Sequence, residues 1–133
     1  MSRKNKYLKR IPTFTANITL GLQAGYANNQ HSKSAVIKAI QQYQNRLISE
    51  RDIYLSVNVS ECEIVLSGQK EPHLNLAFIN YPRFEMTPEE LKKEVLSISE
   101  YLMDEFRQNR IVIVFNDETV MLEINSEVDP RIE

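Results

Sequence analysis

The chain has no tryptophan, one cysteine, three glycines and two histidines in 133 residues. With Cys62 alone, neither an intramolecular disulfide nor a multi-cysteine zinc site can form. Glycine is too sparse for a Gly-rich phosphate loop, and no serine nucleophile elbow or paired-carboxylate motif occurs. No apolar run approaches the roughly 20 residues that cross a bilayer, and the start of the chain has no signal-peptide apolar core. Large charge of one sign is also missing: a net charge of −2 argues against a general nucleic-acid binder, which would be strongly basic. These absences predict a cytoplasmic protein with no membrane or nucleic-acid partner, no metal and no cofactor.

What is present fits one ordinary domain. Apolar residues make up 42% and charged residues 26% of the chain, the balance of a globular protein with a single core. Charge is uneven along it. Arg3, Lys4, Lys6, Lys9 and Arg10 crowd the start, while Glu123, Glu127, Asp129 and Glu133 load the end. The expected division is a basic, flexible arm over 1–12, one α+β domain over 13–125 and an acidic tail over 126–133.

From Phe14 to Leu22 apolar and polar residues alternate. Phe14, Ala16, Ile18, Leu20 and Leu22 fall on one face, the period of a strand with one buried side. A turn-rich stretch containing Gly25, Asn28 and Asn29 follows, and Ser32 or Ser34 can cap the next helix. There Val36, Ile40, Tyr43 and Leu47 recur at helical spacing. Residues Ile53 to Leu66 read as a long strand whose apolar phase changes between Val59 and Cys62. A bulge near Ser60-Glu61 would keep both sets inward. A connection over Ser67–Pro72 leads to a strand over Leu74–Ile79.

The second helix has the clearest start. Thr87 is placed to cap it, Pro88 occupies its first position, and Glu90 completes a capping box, with Met86 and Leu91 spaced as a staple. Leu91, Val95, Ile98, Leu102 and Phe106 form its buried stripe. Strands over Ile111–Phe115 and Thr119–Ile124 close the domain. The order β-α-β-β-α-β, plus an extra C-terminal strand, predicts a ferredoxin-like split βαβ fold with two helices on one face of an antiparallel sheet.

If the first and third strands lie side by side and parallel, both helix starts face one mouth. Backbone donors there, with Lys33 and Arg83, would hold an anion. Asn28, Asn29, His31, Ser32 and Asn80 add hydrogen-bonding groups, and Tyr81 offers a ring for stacking. These eight residues form the expected ligand site, and no catalytic residue is assigned. His73, two residues after Glu71, falls at the opposite end in this arrangement, near the turn Asn116–Glu118. A histidine beside a carboxylate suits acid–base work, which makes this pair the second region of interest. Cys62 is expected to point inward as a small apolar residue.

The segments Gln69-Lys70-Glu71-Pro72-His73-Leu74 and Phe78-Ile79-Asn80-Tyr81-Pro82-Arg83-Phe84 resemble small proteins of bacteriophages and mobile elements, over roughly residues 14 to 124. Proteins of that size include oligomeric sponges that sequester host nucleotide immune signals. The resemblance implies an anti-defence role in the host cytoplasm. Together with the anion mouth and the missing catalytic constellation, it predicts a non-enzymatic homo-oligomer binding an anionic, nucleotide-derived molecule. The alternatives are a small enzyme, hydrolase or isomerase, using His31, Tyr81 and Arg83 or His73 and Glu71, and a protein-interaction module.

Overall fold

The structure, a computed structural model, describes residues 5–23 and 30–124. The expected acidic tail over 126–133 therefore lies outside the described residues, as do Asn28 and Asn29. Residues 5–12 have no regular structure, and Lys9 Nζ donates to the Pro82 carbonyl at 2.8 Å.

Seven regular elements follow: β1 (Thr15–Gly21), α1 (Lys33–Arg51), β2 (Val57–Leu66), β3 (Gln69–Ile79), α2 (Pro88–Glu105), β4 (Arg110–Phe115) and β5 (Thr119–Glu123). The sheet order is β2-β3-β1-β4-β5, and every neighbouring pair is antiparallel. This is the expected α+β arrangement, two helices packed on a five-stranded antiparallel sheet. Ala16, Ile18 and Leu20 of β1, Leu74, Leu76 and Phe78 of β3, and Ile111 and Ile113 of β4 all point to the helices. They meet Val36, Ile40 and Leu47 of α1 and Leu91, Val95, Ile98 and Leu102 of α2. Each Val, Leu, Ile or Phe among them contributes about 1.5–3 kcal/mol on burial. No helix among the described residues is long and apolar enough to cross a membrane.

The helix starts form as their sequences dictate. Ser32 Oγ accepts from Ala35 N–H at 3.1 Å to cap α1. Thr87 Oγ1 accepts from Glu90 N–H while the Glu90 carboxylate accepts from Thr87 N–H, a complete capping box with Pro88 in the first turn. The helices are tied across their seam by Arg51 and Glu94, whose Nη2 and Oε1 lie 2.6 Å apart. The Glu94 side chain is 2% exposed, and its Oε2 has no hydrogen-bond partner.

Two expectations about strands are corrected. First, β1 and β3 are central neighbours but antiparallel, with Thr15 opposite Ile79 and Gly21 opposite His73. A helical crossover leaves β2 pointing the same way as β1, and the hairpin then reverses β3. Second, β2 has no bulge. Its register against β3 runs unbroken from Val57 opposite Phe78 to Leu66 opposite Gln69. Ser67 and Gly68, both at positive φ, make a two-residue hairpin turn, so β3 begins five residues earlier than the expected Leu74. Along β2, Val57, Val59, Glu61 and Glu63 take the helix side, and Cys62, Ile64 and Leu66 the open side. Cys62 is therefore not a core residue, although partial burial pushes its thiol pKa up.

Candidate functional site

Because β1 and β3 run in opposite directions, the segments that follow them leave opposite ends of the sheet. The expected mouth is therefore divided. His31, Ser32 and Lys33 sit at the end marked by Gly21 and His73, and Asn80, Tyr81 and Arg83 at the end marked by Thr15 and Ile79. Along β3 these ends are roughly 20 Å apart at about 3.3 Å per residue.

Several of these residues are already engaged in holding the fold. The Ser32 hydroxyl is the α1 cap. His31 Nε2 lies 3.1 Å from the Phe106 carbonyl, and its ring meets the Phe106 ring edge-on at 4.9 Å. Asn80 is buried: its amide donates to the Met86 carbonyl at 2.9 Å and its oxygen accepts from Met86 N–H at 3.0 Å. Lys33, Tyr81 and Arg83 are exposed.

The first end brings His31 and His73 together. Leu22 N–H donates to the Pro72 carbonyl and His31 N–H to the Leu22 carbonyl, so both histidines belong to this end. The turn Asn116–Glu118 lies at the other end, where Asn116 Oδ1 accepts from Thr15 N–H. The expectation that His73 and Glu71 lie near that turn is therefore corrected: they lie at the end where α1 starts. A cleft of about 340 Å³ opens here, lined by Leu22, Glu61, Cys62, Glu63, Pro72 and His73. His73 Nδ1 lies 3.2 Å from the Glu71 carbonyl oxygen, an atom that can only accept. With the proton on Nδ1 for that bond, Nε2 is left as an acceptor. A Cβ at Gly21 would stand 3.4 Å from His73 Nε2 and 2.5 Å from Gln108 Oε1, so the absence of a side chain there lets both residues close in. Gln108 Nε2 in turn donates to the Gln23 and Phe106 carbonyls, fastening the end of β1 to the end of α2.

The second end carries an aromatic cleft of about 310 Å³, lined by Gln44, Asn45, Ile48, Tyr54, Leu55, Ser56, Tyr81 and Phe84. A single 3-10 turn over Pro82–Phe84 swings Phe84 back onto Tyr54, and the two rings stack at 4.4 Å with 18° between planes. Tyr81 lies 6.1 Å from Phe84 at 25°, and the Arg83 guanidinium sits 5.7 Å from the centre of the Phe84 ring. Tyr81 and Arg83 of this cluster belong to the expected ligand site. Tyr54, inside the stretch read as a strand, and Phe84, just after a turn, carried no signal that pairs them. Among the described residues no group of three or more histidine, cysteine or acidic side chains is placed to hold a metal ion.

No protein-family model matches the chain, and no curated protein matches it. Two solved structures do. One is a phage SAM lyase in complex with S-methyl-5′-thioadenosine, with a TM-score of 0.66 at 15% identity, covering 92% of this chain and 100% of that one. The other is a phage SAM lyase in the apo state, with a TM-score of 0.65 at 16% identity and the same coverage. The likeness is one of fold, and it runs the full length of the lyase. It overturns the expectation of a non-enzymatic sequestering protein, since both matched structures are of an enzyme.

Proposed function

We propose that the chain is an enzyme that cleaves S-adenosylmethionine at its sulfonium centre, releasing S-methyl-5′-thioadenosine. The observation that carries this reading is the fold shared over the full length of the phage SAM lyase. The chemistry asks little of the protein. When the substrate's own carboxylate oxygen attacks the carbon next to sulfur, a C–O bond forms and the C–S bond breaks. The electron pair goes to sulfur, and the products are a neutral thioether and a cationic amino-lactone. Charge balances, and neither water nor a base is consumed. The enzyme's task is to hold the reacting atoms in line and exclude water.

We place that task in the cleft beside His73. S-Adenosylmethionine carries a sulfonium and an ammonium against one carboxylate, so its net charge is positive. Glu61 lines the cleft and suits such a cation, Glu63 beside it is shared with Lys70 Nζ at 3.6 Å, and Leu22 and Pro72 give the emerging neutral thioether an apolar wall. His73, which lines the cleft, would orient the ammonium group through the acceptor position at its Nε2, with Glu71 two residues before it on the same strand. The enzyme would work as a homo-oligomer, for which the exposed Ile64, Val65 and Leu66 at the edge of β2 supply apolar contact area. Consuming the common methyl donor would starve methyl transfer in the same compartment, the form an anti-defence role of a phage protein would take.

Purified protein incubated with S-adenosylmethionine should yield S-methyl-5′-thioadenosine and the amino-lactone, resolved by chromatography and mass spectrometry. In ¹⁸O-water the four-carbon product should form without label in its first turnover; label at that stage would make the enzyme a hydrolase. Glu71→Gln and His73→Ala should each slow turnover with the fold intact by circular dichroism. Recovery of intact substrate after prolonged incubation with catalytic protein would sink the proposal.

A further inference from the structure

We propose that the aromatic cleft at the far end of the sheet is a separate binding site for an uncharged purine nucleoside. Its walls come from three parts of the chain: Gln44, Asn45 and Ile48 from the second half of α1, Tyr54 to Ser56 from the α1–β2 connection, and Tyr81 and Phe84 from the turn after β3. No acidic side chain lines it, and a cation, the Arg83 guanidinium, stands 5.7 Å from the centre of the Phe84 ring. That composition disfavours the cationic substrate and suits a neutral guest.

The rings select the shape of that guest. Tyr54, Tyr81 and Phe84 are 38%, 45% and 39% exposed, a cluster of large aromatic surface unusual on a protein exterior. The Tyr54 and Tyr81 planes lie at 18° and 25° to the Phe84 plane, so the rings offer flat faces to a planar molecule rather than a general apolar hollow. Tyr54 and Phe84 are already stacked at 4.4 Å, too close to admit a ring between them. The base therefore extends the stack over an outer face, and the amide of Asn45 and hydroxyl of Ser56 are the groups placed to read its edge. Gln44 is held in place, its amide donating to the Leu55 carbonyl at 2.8 Å. The cleft is at the small end of the ~300–1,000 Å³ range of ligand sites, the scale of one nucleoside.

The site stands on its own geometry and does not depend on the cleavage reaction. If that reaction occurs, its thioether nucleoside is a neutral purine nucleoside of the class bound here. Calorimetric titration of the full chain with S-methyl-5′-thioadenosine, adenosine and cytidine tests the assignment. The two purine nucleosides should bind, and cytidine should bind more weakly. Tyr54→Ala and Tyr81→Ala should each weaken purine binding about ten-fold, the scale of one lost base–ring stack. Tyr81→Phe should stay within about two-fold of the parent. If Tyr54→Ala perturbs the fold, Tyr54→Leu keeps the apolar area without the flat face and should weaken binding as much. Purine binding unchanged in the Tyr54→Ala/Tyr81→Ala double variant, or abolished by Glu71→Gln instead, overturns the site whatever the protein does to S-adenosylmethionine. Loss of binding confined to the aromatic variants upholds it even if no cleavage is ever seen.

Discussion

Removing the Arg51 side chain should be the most damaging single truncation at the helix seam. Glu94 is 2% exposed and already has one oxygen without a hydrogen-bond partner, so Arg51 is the group that neutralises a carboxylate otherwise enclosed by the core. Leaving a fully buried ion without its partner costs about 3–5 kcal/mol. Here the guanidinium side is 49% exposed, and water can enter where it withdraws, so about 2–3 kcal/mol is the expected loss for Arg51→Ala. Glu94→Gln should cost less, about 1 kcal/mol, because it removes the buried charge while keeping an acceptor for Arg51. Glu94→Leu combined with Arg51→Ala should recover most of the loss, since no charge then remains inside. Urea unfolding of the single and double variants at pH 7, with unchanged m-values, provides the cycle. A loss below 0.5 kcal/mol for Arg51→Ala, the size of an ordinary surface ion pair, would refute the view that Glu94 depends on it.

Asn80→Ala removes both hydrogen bonds to the partly buried Met86 backbone; a loss of about 1–2 kcal/mol is expected in urea unfolding, with faster amide exchange at the start of α2. Gly21→Ala pushes the Gln108 amide off its bonds to Gln23 and Phe106, and should cost about 1 kcal/mol. A melting temperature equal to the parent's would show that Gln108 yields freely. Tyr43 has its pKa raised, first by burial and then by the nearby Glu94 charge. Its stabilising effect is complete below the unfolded tyrosine value near 10 and is lost as pH rises through the higher folded value. Tyr43→Phe should therefore flatten the decline of stability between about pH 9 and 11; an identical decline in both proteins would remove Tyr43 from the account.

The start of α2 was legible because a capping box is a local device: Thr87, Pro88 and Glu90 carry its whole geometry within four residues. The stripes of both helices and the alternation of β1 were legible for a similar reason, since period alone assigns a buried face. The direction of β3 was also implicit in the element order, because a hairpin after a crossover must reverse the strand. Reading β1 and β3 as parallel moved His31 and Lys33 to the wrong end relative to Tyr81 and Arg83. In β2 the assumption that Cys62, Ile64 and Leu66 must face the core required a bulge. The long hairpin instead carries that part of the strand where its open-side residues stay accessible, and Glu61 and Glu63 line a cleft. Tyr54 and Phe84 could not be paired in advance: the backbone of a three-residue turn brings them together, and nothing periodic marks either.

The strand order also sets a schedule for synthesis. β1 is made first yet lies at the centre of the sheet, and its partner β4 pairs Phe115 with Ala16. At about 5–20 residues per second, the ribosome needs roughly 5–20 s to deliver that partner after β1 has emerged. Until then Ala16, Ile18 and Leu20 have no complete sheet to enter. A nascent chain of this topology is exposed to chaperones and to proteolysis for most of its own translation, and its yield should respond to translation speed more than that of a fold built from local hairpins.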